Sequence, residues 1–408
     1  MPYLLNVNRM KIKLFLFFLC TIFTSCIEEY KIPKSVSDTY EEEIVIQGRI
    51  LSGDQSIIYV SHTMPMGDNK NPHDITDAKV RIIGENGYQS ELAHFDEERK
   101  YYVIDTDILP QITSYAIQVE TRGEIYQSTF QEIIHTPDIE SVHYQEHSDG
   151  ITIHVTTNNN NDQSPNYMWT YEEDWEFYAP INLQKLYAEN KIIGMSWKNV
   201  YSELSMNSNP YYYCWKHTES KKIHLYSTKE LNENIVKDVE LIKIPNTDVR
   251  ISYIYSILVK QWCLNEEAYN YYLLQKKYSE ESDGLFTPMP YEINGNIICT
   301  SSPTKKAKGY VLASSIKEKR IFIYASDFKS MQVEYDPICY YITGKEEANI
   351  NTRWQYTWNQ LIKYGAIIYS DDQTLDENDV LYHKECVDCR TLEGSTKKRP
   401  DFWPNNHE

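Results

Sequence analysis

The chain has 408 residues, too many for one hydrophobic core, so two or three domains are expected. Its formal charge is −19, which argues against nucleic acid or an anionic headgroup surface as a broad partner, since both need basic patches. Tyrosine outnumbers phenylalanine by 35 to 11; tyrosine covers apolar surface while its hydroxyl seeks a partner, which suits half-buried strands first and binding surfaces second.

Arg9, Lys11 and Lys13 precede an apolar run at 14–23. That run is about ten residues long against the roughly 20 that a spanning helix needs, so it reads as an export signal rather than as fold. Met10 is a candidate start, because residues 1–9 add nothing to a signal. Phe23-Thr24-Ser25-Cys26 resembles the bacterial lipobox, with Phe23 where Leu is usual. The resemblance implies cleavage after Ser25 and acylation of Cys26, in palmitate-bearing form, as the anchor. An ordinary signal peptide cleaved elsewhere and an uncleaved anchor are the alternatives. Glu28 and Glu29 resemble the acidic surface-export signal of lipoproteins from the Bacteroidota, against the plainer reading of a solvated acidic tether. The expectation is a signal peptide at 1–25, a polar tether at 26–42, and an outer membrane reached through lipid, on the cell surface.

Residues 43–136 read as a small all-β domain. Ala78, Val80 and Ile82 alternate with polar neighbours, as do Tyr115, Ile117 and Val119, and period two with one polar face means a half-buried antiparallel strand. Further strands are expected at 44–51, 56–62, 89–95, 100–104 and 124–131, separated by the turns Ser52-Gly53-Asp54, Gly84-Glu85-Asn86-Gly87 and Arg122-Gly123-Glu124. Seven short strands predict an immunoglobulin-like or transthyretin-like sandwich. The polar loop at 64–75 either binds something or merely crosses between sheets.

Thr136-Pro137-Asp138 looks like a domain junction, and 137–390 reads as a larger β-rich domain with one or two helices. Strands are expected around 151–155, 167–178, 211–215 and 251–262. Within the third quarter of the chain a helix near 265–279 has Asn265 as cap and Glu266 and Glu267 in its first turn, where the dipole favours acids. Ala268, Tyr269, Tyr272, Leu273 and Lys276 are read as its apolar face. A shorter helix is expected at 353–363. The tail at 391–408 is polar and basic, then ends in Asp401-Phe402-Trp403-Pro404, an apolar hook able to dock on the body.

Of the eight cysteines, Cys20 leaves with the signal and Cys26 takes lipid, so the rest lie in the second half. An even number in an exported chain permits three disulfides. Cys386-x-x-Cys389 is read as a redox pair, half a zinc site or disulfide chemistry. No convincing helix follows it to lower a thiol pKa, and no second ligand pair is spaced for zinc, although His383 and Cys339 are available. A disulfide is favoured, joining Cys386 to Cys389 or either of them to Cys214 or Cys339. The acids between Asp371 and Asp379 lack the order and glycine of a calcium loop. Ser302-x-x-Lys305 and Ser314-x-x-Lys317 match a serine–lysine pair only formally. No cofactor motif is found. Tyr167, Trp169, Tyr171 and Trp175 are a candidate binding platform, with core packing as the competing reading. The acids among them, Glu172, Glu173 and Asp174, alternate between faces, so they cannot alone be the two carboxyls that a glycosidase sets across a cleft.

Several C-terminal segments together resemble one family: Tyr211 to Trp215, Tyr255 to Gln261, the helix from Glu266, Gly295-Asn296, Gly309-Tyr310, Cys386-Val387-Asp388-Cys389-Arg390 and Thr396 to Trp403. With the lipobox and the N-terminal sandwich, the chain resembles the domain-of-unknown-function 4249 family of Bacteroidota lipoproteins over nearly all of its mature length. The Cys386–Arg390 segment is its most specific mark. The resemblance implies an outer-membrane lipoprotein, a non-enzymatic accessory or ligand-binding partner of a TonB-dependent transporter, and supplies no catalytic residues. A surface hydrolase acting on glycan or peptide and an envelope assembly or structural factor are the alternatives.

Overall fold

The computed structural model describes residues 41–64, 74–110, 113–159, 164–181, 212–220, 222–281, 293–334 and 384–404, with short strands between 185 and 203 and between 341 and 382. Cys26, its signal and most of the tether, most of the 64–75 loop, Cys339, His383, the acids at 371–379 and the helix expected at 353–363 lie outside the described residues.

The chain opens with β1 (Ile44–Leu51), β2 (Gln55–His62), β3 (Lys79–Gly84), β4 (His94–Asp96), β5 (Tyr101–Asp105), β6 (Ser114–Thr121), β7 (Glu124–Ser128) and β8 (Gln131–Glu132). They form two antiparallel sheets, β1-β2-β5-β4 and β7-β6-β3 with β8 beside β6. Ile44, Ile46, Ile50, Ile58 and Val60 from one sheet meet Val80, Ile82, Tyr115, Ile117 and Val119 from the other. The period-two pattern therefore marks the inward faces of a sandwich. Expected strand 89–95 is shorter here: its first part meets β3 through the bridge Ile83↔Gln89 and through the Ser90 and Ala93 N–H groups, which donate to the Ile82 and Val80 carbonyls, and ladder pairing starts at His94.

Next come β9 (Ile139–His147), β10 (Gly150–Asn158), β11 (Asn166–Tyr178), β12 (Tyr213–Glu219), β13 (His224–Ser227), β14 (Ile235–Pro245), β15 (Ile254–Leu264) and the helix α1 (Glu266–Glu281). A second sandwich packs the β14-β10-β9 sheet against a sheet centred on β11. Asn265 caps α1 as expected, its Oδ1 accepting the Ala268 N–H at 2.8 Å. Of the expected face of α1, Ala268 is buried and Tyr269 and Tyr272 pack partly buried on the body, but the face centres nearer Tyr271 than Leu273. Ala268 and Tyr271 are buried while Leu273 is 44% exposed. Rows 268/271/272 and 269/272/273 have the same helical spacing, and only the tyrosine and tryptophan the helix lands on choose between them.

The chain then returns to the first sandwich. β16 (Ile297–Cys299) pairs with β7, and β17 (Ala307–Lys308) and β18 (Val311–Ser314) run parallel to β1. The unit expected to end at 136 thus includes residues from 297–314. The return requires glycine: Gly309 has φ +101°, and a Cβ there would strike the Ile46 carbonyl, as one at Gly295 would strike the Gly309 carbonyl. The outgoing chain at Ile134 bridges the returning chain at Ser314. Thr136 between the sandwiches is buried, and its hydroxyl accepts from the Cys263 N–H and donates to the Ser315 carbonyl. β19 (Lys317–Tyr324) joins β15, and β20 (Ser395–Thr396) adds to β12 from the tail.

Candidate functional site

β11 organises the molecule because its two faces do different work. Tyr167, Trp169, Tyr171, Glu173, Trp175 and Phe177 alternate onto the inner face, and Met168, Thr170, Glu172, Asp174 and Glu176 onto the outer one. Tyr167 and Trp169 are fully buried, and Tyr171 and Trp175 are 6% and 5% exposed. All four belong to the second sandwich core, with Tyr167 and Trp169 stacked at 5.7 Å. They are core packing rather than an open aromatic row, and burying such rings stabilises more than displaying them. Burial pushes the Tyr171 hydroxyl up to about 12, with the Glu173 charge adding to it.

The acids of β11 each meet a separate partner. Glu173 faces the core, where Arg250 Nη1 approaches at 2.7 Å and the Tyr255 hydroxyl donates at 2.8 Å. Burial opposes the Arg250 charge, but hydrogen bonds and charges from Asp248 and Glu173 outweigh it and raise its pKa. On the outer face Asp174 takes Arg320 at 2.8 Å and His217 at 2.7 Å. Glu176 accepts from Trp403 Nε1 at 2.7 Å. Fully partnered acids are what burial demands of a carboxylate.

That last bond is made by the C-terminal hook, which docks. Trp403 is 4% exposed and packs with Trp215 and Ile254, while the Arg320 guanidinium lies 3.7 Å over the Phe402 ring. A Cys214–Cys389 disulfide ties the same tail to β12. Cys386 is buried close by in sequence, in a four-residue helix. Cys263 and Cys299 are thiols in different sandwiches, so the even cysteine count does not translate into three bridges. Burial pushes the Cys263 thiol up to about 12, which leaves it inert at neutral pH.

The outer face of β11 also lines one side of a cleft of about 430 Å³ between the two sandwiches and α1. One wall comes from Gln47 and Arg49 of β1, Tyr59 of β2, and Arg99 and Tyr101 around β5. The other comes from Thr170, Glu172, Glu219 and Lys260, with Tyr272 and Gln275 of α1 and Tyr310 between them. Beneath it, Leu51, Met168, Trp262, Ala268, Tyr271 and Leu312 form an apolar seam that holds the units together. Arg49 stacks at 4.3 Å on Trp262, so its orientation is fixed by the seam. Lys260 lies 2.5 Å from Glu172 and 3.5 Å from Glu318; burial works against its charge, and these two acids raise its pKa regardless. Tyr310 is 2% exposed, and its hydroxyl makes no hydrogen bond of good geometry. Burial raises its pKa, with the Glu267 charge adding to it, and a hydrogen bond with the Asn265 side chain opposes this.

Sequence reasoning missed this cleft. It assembles residues from seven elements and the link between β17 and β18, and no local spacing links Arg49 to Tyr310 or Tyr59 to Lys260. Glu172 and Glu219 stand opposite one another in the β11–β12 register. Both rise from one wall, whereas glycoside hydrolysis needs carboxyls on either side of the scissile bond. Among the described residues no three His, Cys, Asp or Glu side chains gather as a metal centre would require.

The model for the family described as Domain of unknown function (DUF4249) matches residues 27–320. The chain belongs to this family. The matched span takes in the first sandwich with its return strands and the second as far as the start of β19. It stops short of Cys386–Arg390, so the segment expected to be the family's most specific mark lies outside the match. No curated protein matches the chain.

Proposed function

We propose that this DUF4249 chain is a lipoprotein anchored through Cys26 on the outer-membrane surface, where its cleft captures a ligand for a TonB-dependent transporter without transforming it. The observation that carries this reading is the cleft itself. It offers fixed aromatic rings and both donors and acceptors, the usual make-up of a ligand site. Its one close-set acid pair lies on a single wall, with Glu172 held by Lys260. The lipobox and the acids after Cys26 support the location. Affinity capture from detergent-solubilised membranes of the native host tests the partnership: recovery of an outer-membrane barrel is expected, and recovery of the chain alone overturns it. Labelled palmitate is expected to enter the chain and to be lost in Cys26→Ser; label retained in that variant removes the anchor.

A further inference from the structure

Acids outnumber bases in this chain by 59 to 40, and most arginines of the described body hold one. Arg122 pairs with Glu42, Arg250 with Asp248 and Glu173, Arg320 with Asp174 and Arg390 with Asp388. The two arginines of the cleft differ. Among the described residues neither Arg49 nor Arg99 stands within ion-pair distance of a carboxylate. Arg49 lies on the Trp262 ring at 4.3 Å, and the Arg99 guanidinium donates to the Tyr101 hydroxyl at 2.9 Å. Asp96 and Glu98 act on the Arg99 charge from farther off, and Asp96 Oδ1 is already taken by the backbone N–H groups of Glu98 and Arg99.

The strand register brings the two cations to one place. Gln47 stands opposite Tyr59 and Arg49 opposite Ile57, so Arg49 and Tyr59 are diagonal neighbours on the outer face of the first sandwich. The Tyr59 ring rests edge-to-face on Tyr101, the partner of Arg99. Burial pushes the Tyr59 hydroxyl up, Tyr101 and Glu219 add to this, and the Arg49 and Arg99 charges oppose it. Burial likewise raises Tyr272 of α1, and Arg49 opposes it there too. Both cations thus act on the space around Tyr59, and Arg49 also reaches the helix.

On the other wall Lys260 and Glu172 answer each other. Arg49, Arg99 and Lys260 line the cleft against Glu172 and Glu219, a surplus of one positive charge. One carboxylate meets that surplus, whereas a phosphate monoester brings about −1.5 to −2. A guanidinium stacked on a ring keeps its N–H groups in its own plane, which is the geometry of a two-bond contact with a carboxylate. Its orientation is set by buried Trp262 before any ligand arrives, so little freedom is lost on binding. A volume of about 430 Å³ suits a small ligand.

We propose that the cleft binds a small ligand through a single carboxylate, which pairs with the Arg49 guanidinium while Arg99 adds its charge. This rests on the ligand-capture reading above and adds the class of ligand.

The test uses the full mature chain, prepared without lipid, and calorimetric titration with matched probes. Galacturonate is set against galactose, and alanyl-alanine against its C-terminal amide; inorganic phosphate is titrated alongside. At least one carboxylate is expected to bind, more weakly as salt is raised, and its neutral counterpart not. The pair that responds tells a sugar acid from a peptide terminus. Arg49→Gln is expected to weaken binding by about ten- to hundredfold, the loss of a charge-assisted contact. Arg49→Lys, which keeps the charge without the planar fork, should recover part of it. Arg99→Gln should cost about two- to fivefold, as an exposed charge does. Arg81→Gln, on β3 in the other sheet, should change nothing. Binding of neither carboxylate, equal binding of a neutral counterpart, tighter binding of phosphate, or affinity unchanged in Arg49→Gln overturns the proposal. Should Arg49→Gln not fold, as its thermal melt would show, unchanged affinity in Arg99→Gln overturns it instead. A barrel recovered from membranes by a chain that binds no carboxylate leaves the transporter reading standing and removes this one. Carboxylate binding without a barrel does the reverse.

Discussion

The first sandwich is filled with Ile, Val and Tyr, and its ion pairs, such as Lys79–Glu120 and Lys100–Glu97, sit in solvent. The second buries Glu173, Asp174 and Glu176 at 5%, 3% and 0% exposure, and adds a disulfide and a docked tail. Solvent-exposed pairs contribute little, about 0–1 kcal/mol. A buried pair is another matter: it need not stabilise relative to an apolar substitute, but losing one partner strands the other charge. Two units of like architecture thus differ in what they are sensitive to. The first answers to volume and continuity of packing, the second also to charge, redox state and pH.

The largest effect should come from cutting the first unit where the sequence suggests it ends. A fragment of residues 43–136 lacks β16–β18 and leaves edges of β1 and β7 unpaired, so it should show no cooperative unfolding transition by circular dichroism. A cooperative melt from that fragment would break the comparison, because the unit would then be independent of the return strands.

Arg250→Met removes the cation from buried Glu173 and should destabilise the second sandwich by about 3–5 kcal/mol in denaturant titration. Arg122→Met, which loses only a surface partner of Glu42, should cost less than about 1 kcal/mol. Equal effects would mean that burial is not what separates the units.

Replacing Cys214 and Cys389 together by alanine releases the tail from β12. The expected loss is about 2–4 kcal/mol, and hydrogen exchange should locate it on β11, β12 and β15 rather than on β1 or β6. Faster exchange spread evenly over both sandwiches would contradict that.

The smallest and most graded difference is in alkali. Tyr171 and Tyr212 have hydroxyls pushed up to about 12 by burial, from an ordinary value of 10.0. Their folded pKa lies above the unfolded one, so the stabilisation of the neutral form is whole below pH 10.0 and is lost as pH rises through about 12. Tyrosinate absorbance should therefore rise together with unfolding of the second sandwich. Ionisation of these tyrosines near pH 10 in a still-folded chain would refute the assignment.

Much of the fold was legible where one residue's neighbours in sequence are its neighbours in space. The alternation of Val80 and Ile82 and of Ile117 and Val119 gave strands whose inner faces the structure keeps. Asn265 gave the helix start. The apolar hook gave a docked tail, although nothing local said that Trp403 would reach Glu176. What failed was anything decided by the other side of a contact. The aromatic row of β11 has the same period whether it faces solvent or a second sheet, and here β10 and β14 cover it. The α1 face turned on Trp262 and Tyr310, which lie on other elements. The cleft was illegible for the same reason, and its one sequence trace was the Gly309-Tyr310 step, whose glycine permits the close crossing over Ile46.

The nesting of one sandwich inside the other also fixes an order of events. Synthesis delivers β1 early but β18 only after β9 to β15 of the second sandwich have been made. Through that interval the opening sheet is a template with a vacant side, and its natural occupant is not yet part of the chain. Contacts of such long sequence separation form slowly, and an unpaired strand edge recruits whatever strand is nearest. The molecule's period of greatest exposure to misassembly thus comes in the middle of its birth, when its first residues have been waiting longest.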